Sequence, residues 1–189
     1  MNKPPMNDAD ARVARLFDAH ARGDTDYLIE SLTSDPENAT LPASWLSEAG
    51  EMRAVPALVR LLESSNPATR TSATQALAQL GPPIEAKSRL IELMEDESGS
   101  VRSWACSAVG HYKDPELLPI LVSLLDDDDW RVRNGAAIGL GKLGDSRALL
   151  ALRGALRRSR RSPLRWYLNR IALKRAIQML KNAERHGTD

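Results

Sequence analysis

Groups that commonly do chemistry are sparse in this chain of 189 residues. His20, His111 and His186 stand far apart, with no carboxylate or nucleophile spaced to couple them for acid–base or acyl-transfer work. No His-x-x-x-His or Glu-x-x-His pair puts two metal ligands on one helix face. A single cysteine, Cys106, leaves neither a disulfide framework nor a thiolate zinc cage. Asp126-Asp-Asp-Asp129 gathers four carboxylates but lacks the oxygen spacing and turn glycine of a calcium loop. It reads instead as a solvated loop whose Asp residues end one helix and N-cap the next. Gly139-Leu-Gly-Lys-Leu-Gly144 resembles a phosphate loop only superficially, because its glycines fall at helix-packing and helix-terminating positions. The expectation is no catalytic set, no cofactor and no resident metal.

What remains suits recognition. From Ser146 to Ala183 there are nine Arg and two Lys with no acid, a charge of +11 in a chain whose total is +1, so the rest carries −10. Arg153, Arg157, Arg158, Arg160, Arg161, Arg165, Arg170, Lys174 and Arg175 are interleaved with Trp166 and Tyr167. Arg forks bind phosphates or carboxylates, and an aromatic among them can stack on a base. The acidic remainder would repel a phosphate backbone, which ranks an acidic protein surface above nucleic acid. Two plainer accounts stay open: charges that solvate the outer face of a terminal repeat, and an Arg157–Arg161 loop that neutralises Asp126–Asp129 next to it.

These side chains are positioned by a chain that repeats itself. Leu58-Val-Arg-Leu-Leu62, Leu90-Ile-Glu-Leu-Met94, Leu121-Val-Ser-Leu-Leu125 and Leu152-Arg-Gly-Ala-Leu156 begin 32, 31 and 31 residues apart. An Arg opening a run of small residues follows each at Arg70, Arg102, Arg133 and Arg165, the last of them leading into bulky Trp166-Tyr167-Leu168. Two markers in step over four copies predict a stacked helical-repeat array. Within a copy, Leu90, Leu93 and Met94 form one apolar stripe, and Val101, Ala105, Ala108 and Val109 form a second after a polar break. Each copy is therefore a helical hairpin: 53–64 with 67–80, 84–95 with 99–112, 114–125 with 129–143, and 145–157 with 163–181. Cys106 aligns with Thr74 and Ala137 and reads as a small helix-packing residue. Aromatics make up only 4% of the chain, which suits helices packed through Ala and Leu. The expected fold is all-α, a solenoid of about five hairpins plus an N-terminal capping helix in one domain over 1–189. Its parts are a cap (1–23), a degenerate repeat (24–52), regular repeats (53–83, 84–115, 116–146), a basic C-terminal repeat (147–181) and a tail (182–189).

Ala54-Val-Pro-Ala-Leu58, Val101-Arg-Ser-Trp-Ala105 and the run from Val132 to Asp145 resemble the short bacterial HEAT repeats, a group also found in phycobilisome bilin lyase subunits. The resemblance is strong over 53–157 and weak over 24–52 and 158–181. It implies that the recurrent Arg braces the stack by bonding an acidic or carbonyl group of a neighbouring copy, with Asp129 as the carboxylate for Arg133. It also implies that second helices line the concave side. That alignment places Asn134 and Trp166 one step after the Arg, and Trp45, Ser107 and Ile138 five steps after it. Trp45 and Trp166 are off-pattern there and are candidate binding anchors, although Trp45 also suits a plug for the irregular first hairpin. Trp104 reads as core. The candidate partner-binding residues are Trp45, Asn134, Trp166, Arg170, Arg157, Arg158, Arg160 and Arg161.

The family mostly supplies scaffolds, so the expected function is a non-catalytic protein-interaction module, an adaptor or scaffold for an acidic protein. Rival readings are a nucleic-acid-binding HEAT-like protein and a bilin lyase-like or DNA glycosylase-like enzyme. Head-to-tail self-association between basic and acidic copies is a further expectation. The N-terminus has no apolar leader and no stretch approaches about 18 apolar residues, which predicts a cytoplasmic chain with no membrane contact.

Overall fold

A computed structural model describes residues 8–158 and 166–186. Among them the chain forms eleven α-helices joined by turns and short 3-10 segments, with no strand. They fall into two compact units, 1–80 and 81–189.

In unit one, α1 (Asp8–Arg22) and α2 (Thr25–Ser34) are followed by α3 (Thr40–Glu48), α4 (Val55–Leu61) and α5 (Pro67–Leu80). The cap helix α1 packs on α2 and α3, and α3 lies along α5. Asp24 N-caps α2 by accepting the Tyr27 N–H at 3.1 Å. The degenerate copy is thus a complete hairpin, although Thr40 stands where other copies have Arg.

In unit two, the first helices α6 (Lys87–Glu92) and α8 (Leu118–Ser123) are short, but 3-10 turns extend them to 84–95 and 115–126. The second helices are α7 (Gly99–Val109) and α9 (Trp130–Leu143), and α10 (Leu149–Arg158) with α11 (Trp166–His186) completes the unit. α9 lies between α7 and α11. The hairpin boundaries expected from periodicity hold to within three residues at every described helix end in the regular copies.

The repeated markers form the core. Leu58, Leu90, Leu121 and Leu152 are all fully buried, as are the small residues Ala73, Ala105 and Ala136 three positions after each Arg. Thr74, Cys106 and Ala137 are buried in the same register, so the alignment of Cys106 as a packing residue is what the fold shows. Burial pushes the Cys106 thiol up to about 12.

Helix α9 approaches its neighbours closely because it carries glycines. A Cβ on Gly135 would lie 2.7 Å from the Ser103 carbonyl carbon, and one on Gly141 would lie 3.1 Å from the Ala176 Cα. Gly144 ends the helix at φ +80°, its N–H bonding Leu140 O. The phosphate-loop look-alike is therefore a packing face plus a stop signal. Where the copies on either side have Gly81 and Gly144, the middle copy has Lys113, held left-handed at φ +52°.

Trp104 departs from expectation. The packed side of α7 is taken by Val101, Ala105, Cys106, Ala108 and Val109, which leaves Trp104 half-buried on the flank rather than in the core.

Candidate functional site

The recurrent Arg does the same work in the three regular copies, while Arg165 of the last copy lies outside the described residues. Arg70 donates to Ser64 O and Ser65 O (2.9 and 3.1 Å), Arg102 to Asp96 O and Glu97 O (2.9 and 3.3 Å), and Arg133 to Asp127 O and Asp128 O (2.6 and 2.9 Å). Each guanidinium thereby ties down carbonyls of the loop within its own hairpin, groups the preceding helix leaves without partners. In unit two the same fork also reaches the next copy: Arg102 contacts Asp127 Oδ1 at 3.3 Å. Arg133 Nε donates to the buried Asn169 of α11 at 3.2 Å, in the amide orientation that also lets Asn169 donate to Trp130 O at 2.9 Å. Asp129 is not the carboxylate for Arg133. It N-caps α9 through the Arg131 N–H at 2.9 Å, and the Arg131 guanidinium folds back onto it at 2.7 Å. Hydrogen bonding from Arg131 pulls the Asp129 carboxyl below its usual range.

That acid-x-Arg clamp recurs as Glu51 with Arg53 and Asp145 with Arg147, where the acid caps a helical turn and the Arg two residues on closes over it. The pattern was present in the sequence at Glu51-Met-Arg53, Asp129-Trp-Arg131 and Asp145-Ser-Arg147.

The candidate binding residues fall in both units: Trp45 in unit one, the others in unit two. Trp45 is half-buried on α3, stacked on His20 of the cap helix (ring centroids 4.1 Å apart, 9° between planes) and edge-on to Phe17 at 5.2 Å. Its aromatic surface is largely used inside unit one, in line with the plug reading. Phe17 beside it is 52% exposed. In unit two Asn134 of α9 and Arg170 of α11 are each half-buried. Trp166 opens α11, but its side chain lies outside the described residues, as do Arg160 and Arg161 entirely. Arg157 and Arg158 are exposed at the end of α10. Arg158 pairs with Asp126 Oδ1 at 2.7 Å, so one Arg of this edge does meet the acidic loop of the preceding copy. Arg153 and Arg157 engage no other described residue. An exposed pair like Arg158–Asp126 contributes about 0–1 kcal/mol, so it leaves the edge available to a partner.

Other polar features lie elsewhere. In unit one an open cleft of about 310 Å³ between α1 and α2 is lined by Arg12, Arg15, Tyr27, Ser31, Asp35 and Asn38. In unit two, Lys142 of α9 donates to Ser107 Oγ at 3.2 Å and lies 2.7 Å from His111 Nε2. Sequence spacing missed this pair because it joins residues 31 apart on different helices. Among the described residues no group of His, Cys, Asp and Glu is arranged to hold a metal ion, and no helix is long and apolar enough to cross a membrane.

Comparison with known proteins agrees with this architecture. A curated relative 29% identical over 114 residues, spanning 60% of this chain and 56% of its own length, is the phycocyanobilin lyase subunit beta of a Nostoc species. Another, 35% identical over 99 residues (52% of this chain, 46% of the relative), is the bilin biosynthesis protein RpcF of a Synechococcus species. The chain spans about half the length of these relatives. Among solved structures, a designed armadillo repeat protein superposes with a TM-score of 0.62 at 19% identity, covering 95% of this chain and 96% of the design. An engineered protein does so at 0.57 and 22% identity, covering 92% and 84%. Those likenesses carry the fold alone. The HEAT-repeat family model matches residues 25–97 and 87–174, which runs from the start of α2 into the first half of α11, and the chain belongs to the HEAT-repeat family.

Proposed function

We propose that the chain is a non-catalytic protein-interaction module, an adaptor or scaffold that takes an acidic protein partner. The contact surface is the second-helix face together with the basic edge of the last copy. The observation that carries this reading is the +11 stretch from Ser146 to Ala183, of which the exposed Arg153 and Arg157 on α10 engage no other described residue. A helical-repeat solenoid suits the role, because stacked copies present a long, regular surface. Clustered guanidinium groups steer an acidic partner and hold its carboxylates bidentately. In this reading Arg157, Arg158, Arg160 and Arg161 form the edge, Asn134, Trp166 and Arg170 belong to the face, and Trp45 serves mainly to seat the cap helix.

The test is co-purification from native lysate with the chain and with a variant in which Arg157, Arg158, Arg160 and Arg161 are changed to Glu, both checked for helicity. Loss of the partner, together with release of the native complex between low and moderate salt, is the expected result, because exposed charges are screened beyond about 8 Å at physiological ionic strength. Full retention by the reversed variant would refute the edge. Sedimentation of both proteins over a range of concentrations separates head-to-tail self-association, since only that contact would make the native chain grow with concentration.

A second reading is favoured by the two relatives named for bilin chemistry: a bilin lyase-like role, alone or with further subunits. Mixing the chain with phycocyanobilin and following the visible spectrum distinguishes it. A saturable shift supports bilin handling, and an unchanged spectrum removes it.

A further inference from the structure

The second helices of unit two bring basic groups together on one face. Lys142 lies near the end of α9, half-buried, with its stem against Gly110, where a Cβ would come within 2.9 Å of the Lys142 Cβ. That Cβ would meet the Gly139 backbone as well, so glycine at position 110 is what lets α9, and Lys142 with it, come this close. Nζ donates to Ser107 Oγ of α7 at 3.2 Å and lies 2.7 Å from Nε2 of His111, in the turn that ends α7. With Nε2 as acceptor, the imidazole carries its own proton on Nδ1. From α11, on the other side of α9, the charge of Arg175 acts on the same amine. Asp145, three residues further along, is held by Arg147. Burial first, and Arg175 second, push the Lys142 amine down to about 8. An appreciable fraction is then free base near neutral pH, where an ordinary lysine is almost wholly ammonium.

We propose that Lys142 and His111 form a nucleophilic amine site that takes a small anionic carbonyl compound. The proton leaving Nζ passes to His111 Nε2, and the nitrogen lone pair attacks the carbonyl carbon. The C=O π pair moves to oxygen, which takes that proton back from His111 to give a carbinolamine, and the nitrogen's second proton leaves with the hydroxyl. Loss of one water, its oxygen coming from the carbonyl, leaves an imine on Nζ, so the step balances with no oxidant or reductant. Arg175 supplies the positive charge for the compound's carboxylate or phosphate. This site is independent of the docking reading, and neither fails with the other.

The probe is pyridoxal 5′-phosphate, with uncharged pyridoxal beside it. The full chain is incubated briefly at pH 7.5 with a limiting amount of either aldehyde and reduced with borohydride, and the modified lysines are mapped by mass spectrometry. Lys142 is expected to label at least about ten times faster than Lys113, the ratio set by its lowered proton affinity. The phosphate compound should be preferred over pyridoxal, and Arg175→Gln should abolish that preference. Glyoxylate in place of the phosphate compound distinguishes a carboxylate site from a phosphate site. His111→Gln should slow labelling several-fold. A measurement on the unaltered chain needs no variant: labelling of Lys142 should rise through pH 8, well below the pH at which a blocked lysine amide in the same buffer rises. Labelling of Lys142 no faster than Lys113, or titrating with the blocked amide, overturns the proposal, as does a rate indifferent to His111→Gln in a variant of unchanged helicity.

Discussion

The same substitution at two glycines should change stability in opposite directions. Gly135 and Gly154 both lie inside helices, α9 and α10. A Cβ on Gly135 would come within 2.7 Å of the Ser103 carbonyl carbon and 2.8 Å of its Cα, and closest of all to the Ser103 carbonyl oxygen. All of these are backbone atoms of α7, which cannot swing aside. Ordinary contact between carbons begins at about 3.5 Å, so α7 and α9 must part by about 0.7 Å or more, a gap that forfeits a quarter to a half of the dispersion energy of the atoms lining it. Overpacking of this kind costs about 3 kcal/mol, and the better helix propensity of Ala returns about 1, leaving Gly135→Ala destabilised by about 2 kcal/mol. At Gly154 the nearest atom to a new Cβ is Nη1 of Arg158 at 3.3 Å, the far end of a flexible side chain. There the propensity gain stands almost alone, and Gly154→Ala should stabilise by about 0.5–1 kcal/mol. Thermal unfolding followed by circular dichroism at 222 nm should place Gly135→Ala about 6 °C below and Gly154→Ala about 2 °C above the unaltered chain. If Gly135→Ala were neutral, or if both variants moved in the same direction, the close backbone approach of α7 and α9 would be wrong.

Further outcomes follow from the same packing. Leu121→Ala should cost about 3–4 kcal/mol in urea unfolding, because the side chain is fully buried and its neighbours cannot collapse into the space. Arg102→Ala should cost about 1–3 kcal/mol by stranding the carbonyls of Asp96 and Glu97, and Arg102→Lys should recover only part of it for want of a fork. Lys113→Gly should stabilise by about 1 kcal/mol, since it removes a side chain from a left-handed residue, and an unchanged urea midpoint would argue against that conformation. Cys106 gives a pH signature. Its folded thiol is raised to about 12 from an ordinary value of 9.0, so its contribution is complete below pH 9 and is lost as pH rises toward 12. Cys106→Ala should flatten that part of the stability profile, and a thiol reagent should reach Cys106 only on unfolding.

Architecture was readable in the chain because a repeat writes its core many times over. Leu58, Leu90, Leu121 and Leu152 recur in step, and each of those positions is fully buried, so one register of apolar residues settled the helices and their pairing. Capping was also local: Asp129 and Gly144 announce the start and stop of α9 from their own side chains. What lies between copies could not be read this way. The placement of Trp104 on a flank, the seating of Trp45 against His20 and the meeting of Arg158 with Asp126 depend on helix rotation and spacing. The Lys142–His111 pair is the clearest case. Its residues are 31 apart, one on α9 and one in the turn after α7. Only the close approach of α7 and α9, made possible by Gly110, Gly135 and Gly139, brings the amine against the imidazole and strips enough water from it to change its chemistry. Periodicity reports which side of a helix is buried, whereas a titratable pair is made by the distance between two helices, and that distance is a property of the packed structure.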